Sequence, residues 1–285
     1  MENQTDSYFF FITMFLSNEE KLDHITGLLQ KSKRVLFITG AGISADSGLP
    51  TYRGIGGLYN YGQTEEGYAI EECLSGTMFR TKPEITWKYM FQLGLAAAEH
   101  QPNDAHRIIA NWEKQWAAAG GKVVVVTQNI DNYHRAAGSQ NVYEFHGSLR
   151  TLYCTNCSWS EELQPDMAIL TRFKELQKTL PPRCPECNAV IRPRVILFEE
   201  SLPLHEIEEF QCEFNGGKGF DLVFSIGTSA MFPYITSPVR TAALQKIPTV
   251  EINPAESDLS HYVEIHLPMR AADALREIEK RRTTK

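Results

Sequence analysis

Apolar positions recur along this chain with two different periods. After Ser17 the run Ser-Asn-Glu-Glu-Lys opens like a capped helix, and Leu22, Ile25, Leu28 and Leu29 follow three and four residues apart. That spacing predicts an amphipathic helix ending near Lys31 to Lys33. The pattern then changes. Arg34 to Thr39 (RVLFIT) is apolar at consecutive positions, β-branched and short, which predicts a buried strand. Lys122 to Thr127 (KVVVVT), Asp221 to Gly227 (DLVFSIG) and Pro248 to Asn253 (PTVEIN) repeat it. Strands that are apolar throughout, separated by helical stretches such as Asp104 to Ala119, predict a parallel sheet covered by helices on both faces.

The first strand runs into Gly40-Ala41-Gly42-Ile-Ser-Ala45, which fits the G-x-G-x-x-A turn of a Rossmann-like α/β fold. In such sheets ligands bind beyond the carboxyl ends of the strands. All four strand ends carry residues able to touch a dinucleotide: Gly40 and Gly42, Thr127 to Asp131, Gly227 to Ser229, and Asn253.

At 285 residues the chain is long enough for a full α/β core with a smaller module beside it. A net charge of −7 argues against a broad basic surface for nucleic acid. The densest apolar run, Tyr8 to Leu16 (YFFFITMFL), is too short to span a bilayer. It follows acidic residues and leads into Ser-Asn-Glu-Glu, unlike a secretory signal, so it is read as a packed or partner-covering segment of a cytoplasmic protein.

Four of the six cysteines fall in two C-x-x-C pairs, Cys154 with Cys157 and Cys184 with Cys187, while Cys73 and Cys212 stand alone. This is the form of a zinc ribbon, in which four thiolates close a tetrahedral site and leave no coordination position for chemistry. The competing readings are free core cysteines and a redox dithiol. The pairs do not sit at the strand-to-helix turn that a redox motif occupies.

Where the chain enters that module stands Phe145-His146-Gly147. A histidine there has an ordinary pKa of about 6.5, suited to a base near neutral pH. Gly40 to Gly54 (GAGISADSGLPTYRG), Thr127 to Asp131 (TQNID), His146-Gly147, the cysteine pairs, Gly227 to Ser229 and Ile252-Asn253, in that order, resemble the sirtuin family over about residues 20 to 275. The resemblance implies an NAD-dependent protein lysine deacylase, which consumes NAD, transfers the acyl group to ADP-ribose and releases nicotinamide.

Carried over position by position, the resemblance implies that N–H groups around Ala41 and Gly42 cradle the pyrophosphate, and that Tyr52 and Arg53 cover the nicotinamide ribose. It implies that Gln128 and Asn129 hold the ribose, that Asp131 bonds the nicotinamide carboxamide, and that Gly227, Thr228, Ser229 and Asn253 bind the adenosine half. His146 is then the general base toward a ribose hydroxyl. An acyl-lysine peptide pairs as an added strand with Val195 to Glu200, including Phe198 and Glu200, and with the stretch after Ser229. The implied layout is an N-terminal extension (1–19), a Rossmann-like NAD-binding domain (20–147 and 201–285) with a helical insertion at about 55–100, and a zinc module (148–200).

Three departures stand out. Where the family has Phe-Gly-Glu this chain has Phe198-Glu199-Glu200, a second acid beside the peptide groove that favours basic residues near the target lysine. Asp46 replaces a common Glu. Met90 and Leu93 stand where succinyl- and malonyl-preferring relatives carry Tyr-x-x-Arg, which implies an apolar acyl tunnel for acetyl or longer fatty chains, or simply helix packing. Three rival functions use parts of the same pattern: a mono-ADP-ribosyltransferase sharing the NAD site, a non-catalytic NAD sensor, and a zinc-ribbon nucleic-acid protein. His146 together with Gln128, Asn129 and Asp131 favours the deacylase, because transfer or binding alone does not need a ribose-directed base.

Overall fold

The computed structural model describes residues 16–50, 63–163, 167–215 and 219–284. The run Tyr8 to Leu16 lies outside them apart from Leu16, as do Tyr52 and Arg53. The Ser17 side chain accepts the Glu20 N–H at 3.3 Å while Glu20 accepts the Ser17 N–H at 2.8 Å. This reciprocal cap starts α1 (Asn18–Lys31), which buries Leu22, Ile25 and Leu29. Along the chain follow β1 (Arg34–Thr39), α2 (Ala41–Ser44), α3 (Ile70–Cys73), α4 (Gly76–Thr81), α5 (Pro83–Glu99), α6 (Asp104–Ala118), β2 (Lys122–Thr127), α7 (Tyr133–Ala136) and β3 (Val142–Glu144). Then come β4 (Gly147–Cys154), β5 (Ser160–Glu162), α8 (Met167–Leu176), β6 (Ile191–Val195), α9 (Leu204–Asn215), β7 (Leu222–Ile226), α10 (Pro233–Leu244), β8 (Thr249–Ile252), β9 (Ile265–Leu267) and α11 (Ala271–Thr284).

The four predicted strands pair in parallel and gain β3 and β9 at the edges, in the order β3-β2-β1-β7-β8-β9. The edge strands have three residues each, too few to show a period. From β1 the chain builds outward through β2 and β3, then crosses to β7 on the other side. Beyond β1 and β7 the crossovers therefore diverge, which opens a crevice at the carboxyl ends.

The unbroken apolar runs follow from burial on both faces. In β1, Val35 and Phe37 join a cluster with Leu22, Ile109, Trp112 and Leu275, whereas Leu36 and Ile38 join one with Phe210, Ile235 and Val239. Each fully buried side chain of this size contributes roughly 1.5–3 kcal/mol. Strands β5, β4 and β6 form a separate antiparallel sheet. It shares an apolar cluster with α5, and the buried Trp87 Nε1 donates to the Ile191 carbonyl at 2.8 Å. Among the described residues no helix is long and apolar enough to cross a membrane.

Candidate active site

The loops after β1 and β7 cross backbone to backbone. Gly40 N donates to the Ile226 carbonyl at 3.1 Å and Gly42 N to the Gly227 carbonyl at 2.7 Å. A Cβ on Gly42 would stand 2.6 Å from Gly227 Cα, and Gly227 itself has φ of +59°. Glycine is required here by close approach. The sequence reading counted Gly42 among the N–H donors to an anion. Its N–H is instead engaged by Gly227, so Gly42 shapes the crevice floor.

Beyond the glycines the strand-end side chains interlock. Ser44 Oγ donates to Asp131 Oδ2 at 2.7 Å, and Asn129 Nδ2 lies 3.2 Å from Ser44 Oγ and 3.1 Å from the Gly40 carbonyl. Burial pushes the Asp131 carboxyl up, opposed by hydrogen bonds from Tyr133 N–H and Ser44. Gln128 Nε2 donates to Thr228 Oγ1 at 2.7 Å, and Asn253 Nδ2 donates to the Thr228 carbonyl at 3.1 Å. Thr228 is buried and Ser229 is exposed. Residues from four strand ends thus meet at one rim.

Below them lie two buried histidines. His106 Nε2 is 3.4 Å from Ser44 Oγ, His134 Nε2 is 3.0 Å from Thr39 Oγ1, and the two rings meet at 4.9 Å. Burial pushes His134 down to about 3, and burial, His134 and Arg107 together push His106 well below the usual range. Both are neutral.

His146 follows β3, and the next residue, Gly147, has φ of +76°. A Cβ there would stand 2.0 Å from the Arg194 carbonyl, where β4 pairs with β6. Only glycine admits so close an approach of the paired strands β4 and β6. The His146 Nε2 lies 2.6 Å from Tyr234 Oη, with the rings of Phe232 and Tyr234 edge-on to it. Burial lowers the His146 pKa while the Gln128 backbone opposes that shift, as an accepting carbonyl does.

The four sulfurs of Cys154, Cys157, Cys184 and Cys187 all lie within 4.8 Å of one another, with Cys154 to Cys187 at 3.4 Å and Cys157 to Cys184 at 3.6 Å. A tetrahedral zinc with bonds of about 2.3 Å needs sulfurs about 3.8 Å apart. Asn156 N and Cys157 N point at Cys154 Sγ, the polarity a thiolate accepts. The donor set fits zinc.

On the substrate side the structure corrects the sequence reading. The Phe198 N–H and carbonyl are bonded to Leu74 and Gly76, and Arg192 donates to the Val195 carbonyl. These groups are not open to an added strand. Glu200 forms a two-oxygen ion pair with buried Arg192. Glu199 adopts φ of +70°, and its carboxylate accepts Thr77 Oγ1 at 2.6 Å and Thr77 N at 3.2 Å. That acid is tied to the start of α4 and is not a free attractor for basic residues. Met90 is 1 % exposed and Leu93 half-buried in the cluster shared with Trp87 and Leu152. In this state Met90 packs the core and does not line an open tunnel.

The Sir2 family profile matches residues 40–233. An NAD-dependent protein deacylase 2 of Pseudomonas syringae pv. tomato is 44% identical over 252 residues, covering 88% of this chain and 96% of that one. The chain belongs to the Sir2 family. A solved Sir2 homologue in complex with NAD superposes with a TM-score of 0.76 at 30% identity, over 92% of this chain and 94% of that one. A Sir2 variant holding a deacetylated p53 peptide and 3′-O-acetyl-ADP-ribose superposes with a TM-score of 0.76 at 25% identity, over 91% and 98%.

For this Sir2-family chain, sequence reasoning missed Tyr234 and gave no part to Ser44 or to His106 and His134. Ser44 sits inside the glycine-rich motif, at the end of the short α2, and could have been found from its place in the turn that leaves a strand end. Tyr234 carried no local signal, because its partner lies 88 residues away.

Proposed function

We propose that this chain is an NAD-dependent protein lysine deacylase, taking NAD and an acyl-lysine peptide and giving nicotinamide, free lysine and O-acyl-ADP-ribose. The observation that carries the reading is a buried histidine, His146, its pKa lowered by burial, placed by the Phe145 N–H bond to the Thr127 carbonyl next to the strand end from which Gln128, Asn129 and Asp131 extend.

In this reading NAD is a substrate. Ala41 opens α2; the Gly42 and Ile43 N–H groups are engaged by the Gly227 and Gly40 carbonyls, so the Ala41 N–H is the one assigned to the pyrophosphate. Thr228, Ser229 and Asn253 serve the adenosine half, Gln128 and Asn129 the ribose, and Asp131 the carboxamide. Tyr52 and Arg53 cover the same ribose. The acyl oxygen displaces nicotinamide from the ribose carbon, His146 removes a proton from the neighbouring hydroxyl, and that oxygen attacks the acyl carbon. Water then completes release of the lysine. The peptide approaches the edge formed by Val195 to Glu200 and the loop after Ser229, using backbone groups not already paired. Cys154, Cys157, Cys184 and Cys187 would hold one structural zinc, and four unoxidised thiolates suit a reducing compartment such as the cytoplasm.

Incubation with NAD and an acetyl-lysine peptide tests the reading. Nicotinamide and O-acetyl-ADP-ribose should form in equal amounts. Nicotinamide with ADP-ribosylated protein and no deacetylated peptide would assign the chain to the transferase instead.

A further inference from the structure

Tyr234 takes no part in the reading above, yet it bonds the one atom on which that reading depends. A histidine that acts as a base through Nε2 carries its proton on Nδ1 and offers a single in-plane lone pair at Nε2. Tyr234 Oη lies 2.6 Å from that atom. Burial pushes the phenol up to about 12, so it keeps its O–H, and opposite the lone pair of a base at Nε2 that O–H is the donor. Its ring is held in place: it stacks on Phe232 at 5.4 Å and 18°, and tilts against Phe145 at 6.3 Å. Pro233 fixes the first turn of α10 just before it. Met231 and Phe232, at the outer side, are 51% and 40% exposed.

One lone pair accepts one full hydrogen bond, so a substrate hydroxyl that gives its proton to His146 must first replace the phenol. We propose that Tyr234 is a positioning residue that holds the His146 lone pair toward the crevice while the site is empty and yields it to the ribose hydroxyl of the bound dinucleotide. The inference rests on reading His146 as the base. The phenol keeps the base neutral and aimed, and it makes occupancy of Nε2 conditional on a ligand that carries that hydroxyl.

The probes are ADP-ribose, which keeps the ribose concerned, and ADP, which lacks it. Titration calorimetry should show ADP-ribose binding about fivefold more tightly to Tyr234→Phe than to wild type, the size of one competing hydrogen bond. ADP should bind both proteins equally. Unchanged ADP-ribose affinity, or an equal change for ADP, overturns the proposal. A second measurement needs no variant: in protein with 15N-labelled histidine, the Tyr234 hydroxyl bond to Nε2 should disappear as ADP-ribose saturates the site. Its persistence in the saturated complex also overturns the proposal. Failure of the underlying reading shows elsewhere, as full deacylation by His146→Ala, whatever the phenol does.

Discussion

Glu200 grips the guanidinium of Arg192 through both carboxylate oxygens, at 2.7 and 3.0 Å, and its Oε2 also accepts the Leu197 N–H at 2.9 Å. Arg192 is only 4% exposed, and its guanidinium lies 4.7 Å over the ring of Phe79. The pair joins the zinc-module strand β6 to the turn that follows it and to α4, so the edge of the groove depends on a buried charge staying matched.

Glu200→Gln should therefore cost about 2–3 kcal/mol, because it leaves the Arg192 charge buried and unmatched. Burial works against ionisation of Glu200, but Arg192 and the Leu197 N–H hold its pKa below the usual range. A depressed carboxylate stabilises the fold above its unfolded pKa of about 4.3, and that contribution is lost as pH falls through the folded value. Urea titrations at pH 7 and pH 4 should show the acid-dependent loss shrinking in the variant. An equal loss in both proteins would count against this role.

His106 and His134 are neutral in the fold and titrate near 6.5 when unfolded. Unfolding therefore takes up protons below about pH 6.5, and stability should fall with pH by about 1.4 kcal/mol per unit for each group. This window lies above that of Glu200. His134→Asn should reduce the slope between pH 6 and 5, measured by denaturant midpoints, and an unchanged slope would contradict the assignment.

His146→Ala should leave unfolding temperature and zinc content near wild type while lowering deacylation by about 10²–10⁴-fold, the usual range for a lost general base. Activity within threefold of wild type would remove His146 from the mechanism.

Met90 and Leu93 supply no cation to pair an acyl carboxylate. Acetyl and myristoyl peptides should therefore turn over faster than succinyl peptides. The comparison is of kcat/KM on one peptide sequence, and a succinyl preference would overturn the inference drawn from these two positions.

Cys184→Ser should abolish stoichiometric zinc, measured by metal analysis, and expose residues 147–195 to proteolysis before the parallel sheet unfolds. The reason is that metal binding and folding of so small a module are one equilibrium. Full zinc content in the variant would show that Cys184 is not a ligand.

Features that depend on near neighbours were legible in the chain. The apolar runs marked four strands because both sheet faces are covered, the capping residues marked α1, and the cysteine spacing marked the metal module. His146 was singled out because it precedes a glycine at the entry to that module, and the structure shows why only glycine fits there. What escaped depends on crossing partners: Ser44 with Asp131 across 87 residues, and His146 with Tyr234 across 88. The same holds for Glu199, whose acid looked free and is tied to Thr77. Sequence by itself determined α1, the four central strands, the crevice side of the sheet and the cysteine set that fits a metal, since periodicity and short spacing are local properties. Only the tertiary structure decided which polar groups are already engaged, because a hydrogen bond belongs to two residues and burial raises the cost of leaving either unpaired.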